Sequence, residues 1–205
     1  MTLLIGCDFS SRPDRRKPIV IARGRLYGGV VTLQAIERLD SLDAFAAWLV
    51  AEPAWVGGFD FPFGLPRELL LAWDWPLQWL AAMQRFAATD RVALRAHFVD
   101  FCARRPVGGK FAHRATDRWA GSSPSMKWVN PPVAWMMHAG VPPLIACGAC
   151  LPGLHAGMGR AGRPSRIALE AYPGLLAREV LGRASYKSDD PRQQTAQRRE
   201  RREQL

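Results

Sequence analysis

Three short apolar runs in this chain share one pattern: each ends on a single carboxylate, and turn residues follow within a few positions. The clearest run covers 55–60 and ends on Asp60, because the Pro-x-Gly-x-Pro segment after it cannot continue a strand. Short apolar runs stopped by turn residues are typical of buried β-strands. The pattern therefore predicts strands at 2–8, 55–60 and 166–170, each with an acid at its carboxyl end.

Two more strands and a helix are predicted between the first two runs. Residues 19–22 are mostly β-branched, and 30–39 alternate between apolar and polar positions, which favours an antiparallel meander with the first strand. Ser41 is a suitable N-cap for a helix at 41–51, where apolar residues recur at helical spacing. A strand–helix–strand crossover should be right-handed, and it places strand 55–60 parallel to the first strand.

The predicted fold class is α/β, with a mixed five-stranded sheet in the order 3-2-1-4-5 and flanking helices. Further helices are predicted at 66–73, 76–88, 90–104 and 173–181. Residues 105–165 are rich in Pro and Gly and are predicted to be mostly loop, and 192–205 to be a solvated helix or a frayed end. We expect one domain over 1–205, with an insertion at about 67–165 that acts as a cap or faces a substrate.

Charge adds a candidate partner to this picture. Of the formal net charge of +10, segment 12–25 contributes +5 and segment 91–128 contributes +6, so the rest of the chain is nearly balanced. Such basic segments favour a polyanionic partner, with nucleic acid, DNA or RNA, as the leading candidate. The alternative is that a general richness in Ala, Arg, Gly and Pro raises the Arg content without a functional reason.

Other classes of protein are disfavoured. The apolar stretch 133–154 is interrupted by Pro, Gly and His138, so we expect no membrane span and no membrane partner. Four Cys are too few for a disulfide framework in a chain of this length. They include a single CxxC, Cys147 to Cys150, and without a second pair a zinc site is unlikely. Reduced thiols and a cytoplasmic location are the simpler expectation.

The three carboxylates should meet, because the carboxyl ends of parallel neighbouring strands lie at one edge of a sheet. Strand spacing would bring Asp8, Asp60 and Glu170 within roughly 10 Å of one another. Clustered carboxylates repel one another unless a cation neutralises them, and Mg²⁺ or Mn²⁺ prefers such oxygen ligands. The alternative for Asp60 alone is that it starts a turn or caps the helix near Pro66.

This set of motifs resembles the domain-of-unknown-function 429 family, described as predicted ribonuclease H-like nucleases. The resemblance rests on Gly6-Cys-Asp8, on Gly58-Phe-Asp60-Phe-Pro-Phe-Gly-Leu-Pro66, and on Leu169-Glu170-Ala-Tyr-Pro173 with Tyr186-Lys187. It spans nearly the whole chain. The resemblance implies a ribonuclease H-like fold and a metal-dependent nuclease, with Asp8, Asp60 and Glu170 as catalytic metal ligands.

Several polar residues are candidate substrate contacts, either for phosphate groups or, for one histidine, as a proton shuttle. They are Lys110, His113, Arg114, Lys127 and Lys187. The alternative for the first four is an exposed polar loop, and for the last a solvated lysine.

Three functions remain open at this stage. The leading one is a Mg²⁺- or Mn²⁺-dependent hydrolase of nucleic-acid phosphodiesters; the second is a non-catalytic nucleic-acid-binding module of the same fold. The third is an actin-like phosphoryl-transfer enzyme, which is disfavoured because Phe9-Ser-Ser-Arg-Pro13 stands where a Gly-rich phosphate loop is expected. The Arg-rich end supplies no apolar closing helix with a further acid, so we expect a second metal to be held poorly.

Overall fold

The predicted strands form one mixed sheet in a computed structural model that describes residues 3–160, 163–182, 184–188 and 190–205. Its strands β1 to β5 span Leu3–Asp8, Ile19–Tyr27, Val30–Leu39, Trp55–Phe59 and Arg166–Glu170. Their order is β3-β2-β1-β4-β5, which confirms the predicted 3-2-1-4-5 arrangement. Strand β1 is antiparallel to β2 and parallel to β4, and β4 is parallel to β5.

One strand is longer than predicted. The prediction ended the second strand at residue 22, but β2 continues to Tyr27 and pairs with β3 over that whole length. A register shift between Arg23 and Gly24 accommodates the glycine within the ladder. The hairpin then turns at Gly28 and Gly29, which both have positive φ, a conformation that a glycine adopts without steric cost. Thr2, the predicted start of the first strand, lies outside the described residues.

Eight α-helices accompany the sheet in the described residues. They are α1 Leu42–Ala51, α2 Arg67–Ala72, α3 Trp79–Ala88, α4 Arg91–Ala103, α5 Ala115–Ala120, α6 Val133–Ala146, α7 Pro173–Leu181 and α8 Ala196–Glu203. The Ser41 hydroxyl caps α1 by accepting a hydrogen bond from the Ala44 amide at 3.1 Å, as predicted. A 3-10 turn at Pro191–Gln193 precedes α8, and a two-residue ladder joins Gly159–Arg160 to Arg163–Pro164.

Residues 105–165 are mostly loop, as predicted, but the prediction did not include the short helix α5 or the longer helix α6. This helix contains Pro142 and Pro143, which remove backbone donors and normally oppose a helix interior. It forms because Ala134, Met137 and Val141 recur at helical spacing and are all buried. Burial of one complete apolar face therefore outweighs the local cost of the prolines.

The two faces of the sheet differ sharply. On one face Ile5, Cys7 and Phe59 are buried, and the Phe59 ring meets the ring of Phe45 from α1 at 6.4 Å between centroids. On the other face Gly6 and its neighbours are exposed or half-buried. A side chain's face therefore decides whether it enters the core.

No helix among the described residues is both long enough and apolar enough to cross a membrane.

Two glycines on adjacent strands test this asymmetry. A Cβ on Gly57 would lie 2.5 Å from Ile5 Cγ1 and 2.9 Å from a ring carbon of Phe59, so Gly57→Ala should lower the free energy of unfolding by about 1–3 kcal/mol. A Cβ on Gly6 would meet only Ala22 Cβ at 3.9 Å, an ordinary contact. Gly6→Ala should be neutral or slightly stabilising. Urea denaturation measures both, and an equal loss in the two variants would contradict the assigned faces.

Candidate functional site

Asp8 and Asp60 stand side by side at the carboxyl ends of β1 and β4. The register pairs Cys7 with Phe59, so the next residue of each strand is an aspartate. The Asp60 amide continues the ladder by donating to the Cys7 carbonyl at 3.2 Å. In a parallel pair, residues in register point to the same face, which is here the open face of the sheet. The two predicted site residues are therefore brought together.

The surroundings of Asp60 oppose its ionisation. Burial is the main cause and raises its pKa to about 7, and the nearby charge of Asp8 and a hydrogen bond with that carboxyl group act in the same direction. The Phe9 amide, which donates to Asp60 Oδ1 at 2.8 Å, and the positive charge of Lys187 both lower the pKa of Asp60 and only partly offset this. Two carboxyl groups in contact at a half-buried site make a place where a cation would be stabilised.

Glu170 belongs to a different environment. The register pairs Glu170 with Phe59, one residue before Asp60, so its side chain starts on the opposite face from the aspartate pair. There Arg114 binds both carboxylate oxygens, at 2.5 Å to Oε1 and 2.8 Å to Oε2, and the Phe63 amide donates to Oε2 at 2.9 Å. The charge of the Glu170 carboxylate is therefore already balanced by the guanidinium group of Arg114.

Arg114 is itself fixed by a buried acid, Asp117, which is only 1% exposed. Asp117 Oδ1 accepts from Arg114 Nη2 at 2.7 Å, and Oδ2 accepts from the amides of Arg114 and Ser125. Burial alone lowers the pKa of Arg114, but its hydrogen bonds to Glu170 and Asp117 outweigh this and raise it overall. The i, i+3 spacing of Arg114 and Asp117 at the start of α5 was the sequence signal for this anchor.

A divalent cation fits two of the three predicted ligands. Asp8 and Asp60 offer hard oxygen donors and excess negative charge, which suit Mg²⁺ or Mn²⁺. Within the described ranges, no group of three or more His, Cys, Asp or Glu side chains is arranged to hold a metal ion. Side-chain parity and the Arg114 ion pair are the physical reasons that Glu170 does not complete such a group.

The other predicted contacts divide into two sets. Arg114 reaches Glu170, and the charge of Lys187 acts on Asp60. In contrast, within the described part of the chain, the side chains of Lys110, His113 and Lys127 make no ion pair with any of the three predicted metal ligands. Lys110 instead extends over the ring of Phe111, with its Nζ 5.9 Å from the centroid.

The two basic segments approach each other at Arg12 and Arg91. Burial and the positive charge of Arg12 both lower the pKa of Arg91, which places the segments 12–25 and 91–128 close together at this point. The loop after β1 exposes four cations, Arg12, Arg15, Arg16 and Lys17. Asp14 Oδ1 shapes that loop by accepting from the amides of Arg16 and Lys17 at 2.7 Å.

Several other cations of these segments are neutralised within the protein. Arg23 pairs with Glu37 and Glu52, Arg104 with Asp100, and Arg105 with Glu68. The formal charge of the two segments therefore overstates the charge that a partner would meet. The exposed loop directly after Asp8 is the more relevant surface.

Comparisons with models of known protein families, with curated proteins and with solved structures gave no match. The resemblance to the domain-of-unknown-function 429 family therefore stays a prediction.

The raised pKa of Asp60 predicts an unusual dependence of stability on pH. In the unfolded chain the pKa is near 3.8, so the folded protein binds the extra proton between about pH 4 and 7 and loses stability as pH rises through that range. Asp60→Asn removes this loss and keeps an acceptor for the Phe9 amide. Without divalent cations the variant should be more stable than the wild type at pH 8, by on the order of 3–4 kcal/mol, and similar to it at pH 4.

Chemical denaturation at both pH values in a chelating buffer measures this difference. Asp40→Asn, at an exposed carboxylate before α1, is the matched control and should give almost no difference. If Asp60→Asn raises the free energy of unfolding by the same amount at pH 4 as at pH 8, packing rather than charge explains the effect.

Arg114 should be essential for local stability. Arg114→Gln leaves the buried carboxylate of Asp117 without its cation, and removing one partner of a buried ion pair costs about 3–5 kcal/mol. Arg118→Gln removes an exposed arginine from the same helix and should cost less than about 0.5 kcal/mol. Urea denaturation compares them, and a similar small effect in both would refute the anchoring role of Asp117.

Proposed function

We propose that this protein is a divalent-cation-dependent hydrolase of nucleic-acid phosphodiesters with a ribonuclease H-like fold. The main supporting observation is the pairing of Asp8 and Asp60 at the carboxyl ends of adjacent parallel strands, an edge where α/β sheets commonly bind ligands. The sheet order and the exposed basic loop after β1 agree with this proposal.

In this proposal Asp8 and Asp60 hold Mg²⁺ or Mn²⁺. Such an ion, when bound, makes water a stronger nucleophile and stabilises a leaving oxygen. The protein contributes the position and protonation of the two acids: the Phe9 amide fixes Asp60 Oδ1, and burial, together with the neighbouring Asp8, raises the pKa of Asp60 to about 7. A cation between them would favour the doubly ionised pair.

The substrate class follows from the charges beside this pair. A phosphodiester backbone would meet Lys187 near Asp60 and the exposed cations of loop 12–17 after Asp8. Contacts of this kind orient a backbone without selecting a sequence. Their binding should weaken steeply as salt increases, through the release of counterions.

A non-catalytic nucleic-acid-binding module is the second candidate, and one observation favours it. Glu170, the third expected ligand, is bound by Arg114 on the other face of the sheet. With the two carboxylates Asp8 and Asp60 paired at the open edge, one metal would be held and a second poorly. We therefore expect any cleavage to be weak and better with Mn²⁺ than with Mg²⁺, because Mg²⁺ demands near-octahedral ligation.

Cleavage of single- and double-stranded DNA and RNA in Mg²⁺ and in Mn²⁺ tests the proposal. Asp8→Asn should reduce turnover by about a hundredfold or more, since it removes one of two ligands, while nucleic-acid binding without metal persists. Asp40→Asn should leave turnover unchanged. Binding without any metal-dependent cleavage would favour the non-catalytic module, and cleavage that survives in Asp8→Asn would refute the assigned site.

A further inference from the structure

Helix α8 borders a cavity of about 360 Å³ that is rich in arginine. Its lining includes Ser185, Arg192, Thr195, Gln197, Arg198 and Arg201. None of the described residues that line it is acidic. Three guanidinium groups around one space repel one another, so the arrangement is stabilised by an anion placed between them.

Two of the three guanidinium groups are oriented by neutral groups of the backbone. Arg198 Nη1 donates to the Gln193 carbonyl at 2.5 Å, and Arg201 Nη1 donates to the Ser185 carbonyl at 2.7 Å. Neither contact neutralises the positive charge, and each guanidinium has five N–H donors. Asp190 accepts from the Arg192 amide at 2.9 Å, and neither Asp190 nor Glu200 is among the described residues that line the cavity. Charged donors therefore remain for a ligand.

The cavity is connected to the candidate active site by a short segment. Arg201 and Arg202 of α8 bind the carbonyls of Ser185 and Tyr186. The next residue, Lys187, is close enough to Asp60 to lower its pKa. The Arg-lined cavity is thus only two residues along the chain from the group that approaches the aspartate pair.

We propose that this cavity is a binding subsite for a phosphate group, filled by a backbone phosphate of the same nucleic acid that meets Asp8 and Asp60. Planar guanidinium groups bind phosphate oxygens in pairs, and the hydroxyls of Ser185 and Thr195 add neutral donors. The volume is at the low end for small-ligand pockets, about 300–1,000 Å³, which suits one phosphate with its sugar. The nucleic-acid source of the phosphate rests on the proposed function; the phosphate site itself does not.

The test measures binding, so that it is independent of cleavage. The protein carrying Asp8→Asn is titrated, in a chelating buffer, with a short single-stranded oligonucleotide and separately with inorganic phosphate. Arg192→Gln should weaken oligonucleotide binding about tenfold, as expected for a lost charge-assisted contact. Arg199→Gln is the matched control, since it also removes one arginine charge nearby, from α8, but Arg199 does not line the cavity; it should change binding less than about twofold.

Each outcome supports or overturns the subsite. The subsite is supported if oligonucleotide binding weakens in Arg192→Gln and in Arg201→Gln but not in Arg199→Gln, with helix content by circular dichroism unchanged. Equal losses in Arg192→Gln and Arg199→Gln would mean diffuse attraction and overturn it. Tight inorganic phosphate binding that depends on Arg192, with oligonucleotide binding unaffected, would replace the backbone source with free phosphate. If the wild type cleaves no nucleic acid but the variants show the binding losses expected for the subsite, the hydrolase function is refuted and the phosphate subsite stands.

Discussion

The parallel pairing of β1 with β4 is the contact on which the candidate site depends. Its register sets Cys7 against Phe59 and therefore Asp8 beside Asp60, with both acids on the open face. A shift of one residue would turn one aspartate into the core and expose Phe59 instead. Burial of the aromatic residues on the inner face thus holds the acids in place, because the same register satisfies both.

Electrostatics divides the carboxyl edge of the sheet into two parts. On the open face, Asp8 and Asp60 lie together, and burial with the added charge of Asp8 raises the pKa of Asp60. On the inner face, Glu170 and Asp117 share Arg114, so their charges are balanced within the protein. Of these two parts, the open face has negative charge that an external cation would neutralise, and the proposed metal site therefore consists of Asp8 and Asp60.

The exposed cations that are relevant to that pair come from two places that are far apart in sequence. The loop after β1 presents four exposed basic side chains, and α8 brings its arginines to the segment containing Lys187. Several other basic residues are neutralised by internal partners, such as Arg23 by Glu37 and Glu52. The location of uncompensated charge, rather than the total of +10, therefore defines the candidate path of a polyanion.

The sequence by itself determined the strands, their order and the edge at which Asp8, Asp60 and Glu170 end, because apolar runs and turn residues act locally. It did not predict α6, since the prolines that argue against a helix are local while the burial that stabilises it is not. Tertiary structure alone decided that Glu170 faces Arg114 and Asp117 instead of the aspartate pair. Strand order follows from chain connections, but the face of each side chain depends on a register of single-residue precision, and that register is set by packing across the whole sheet.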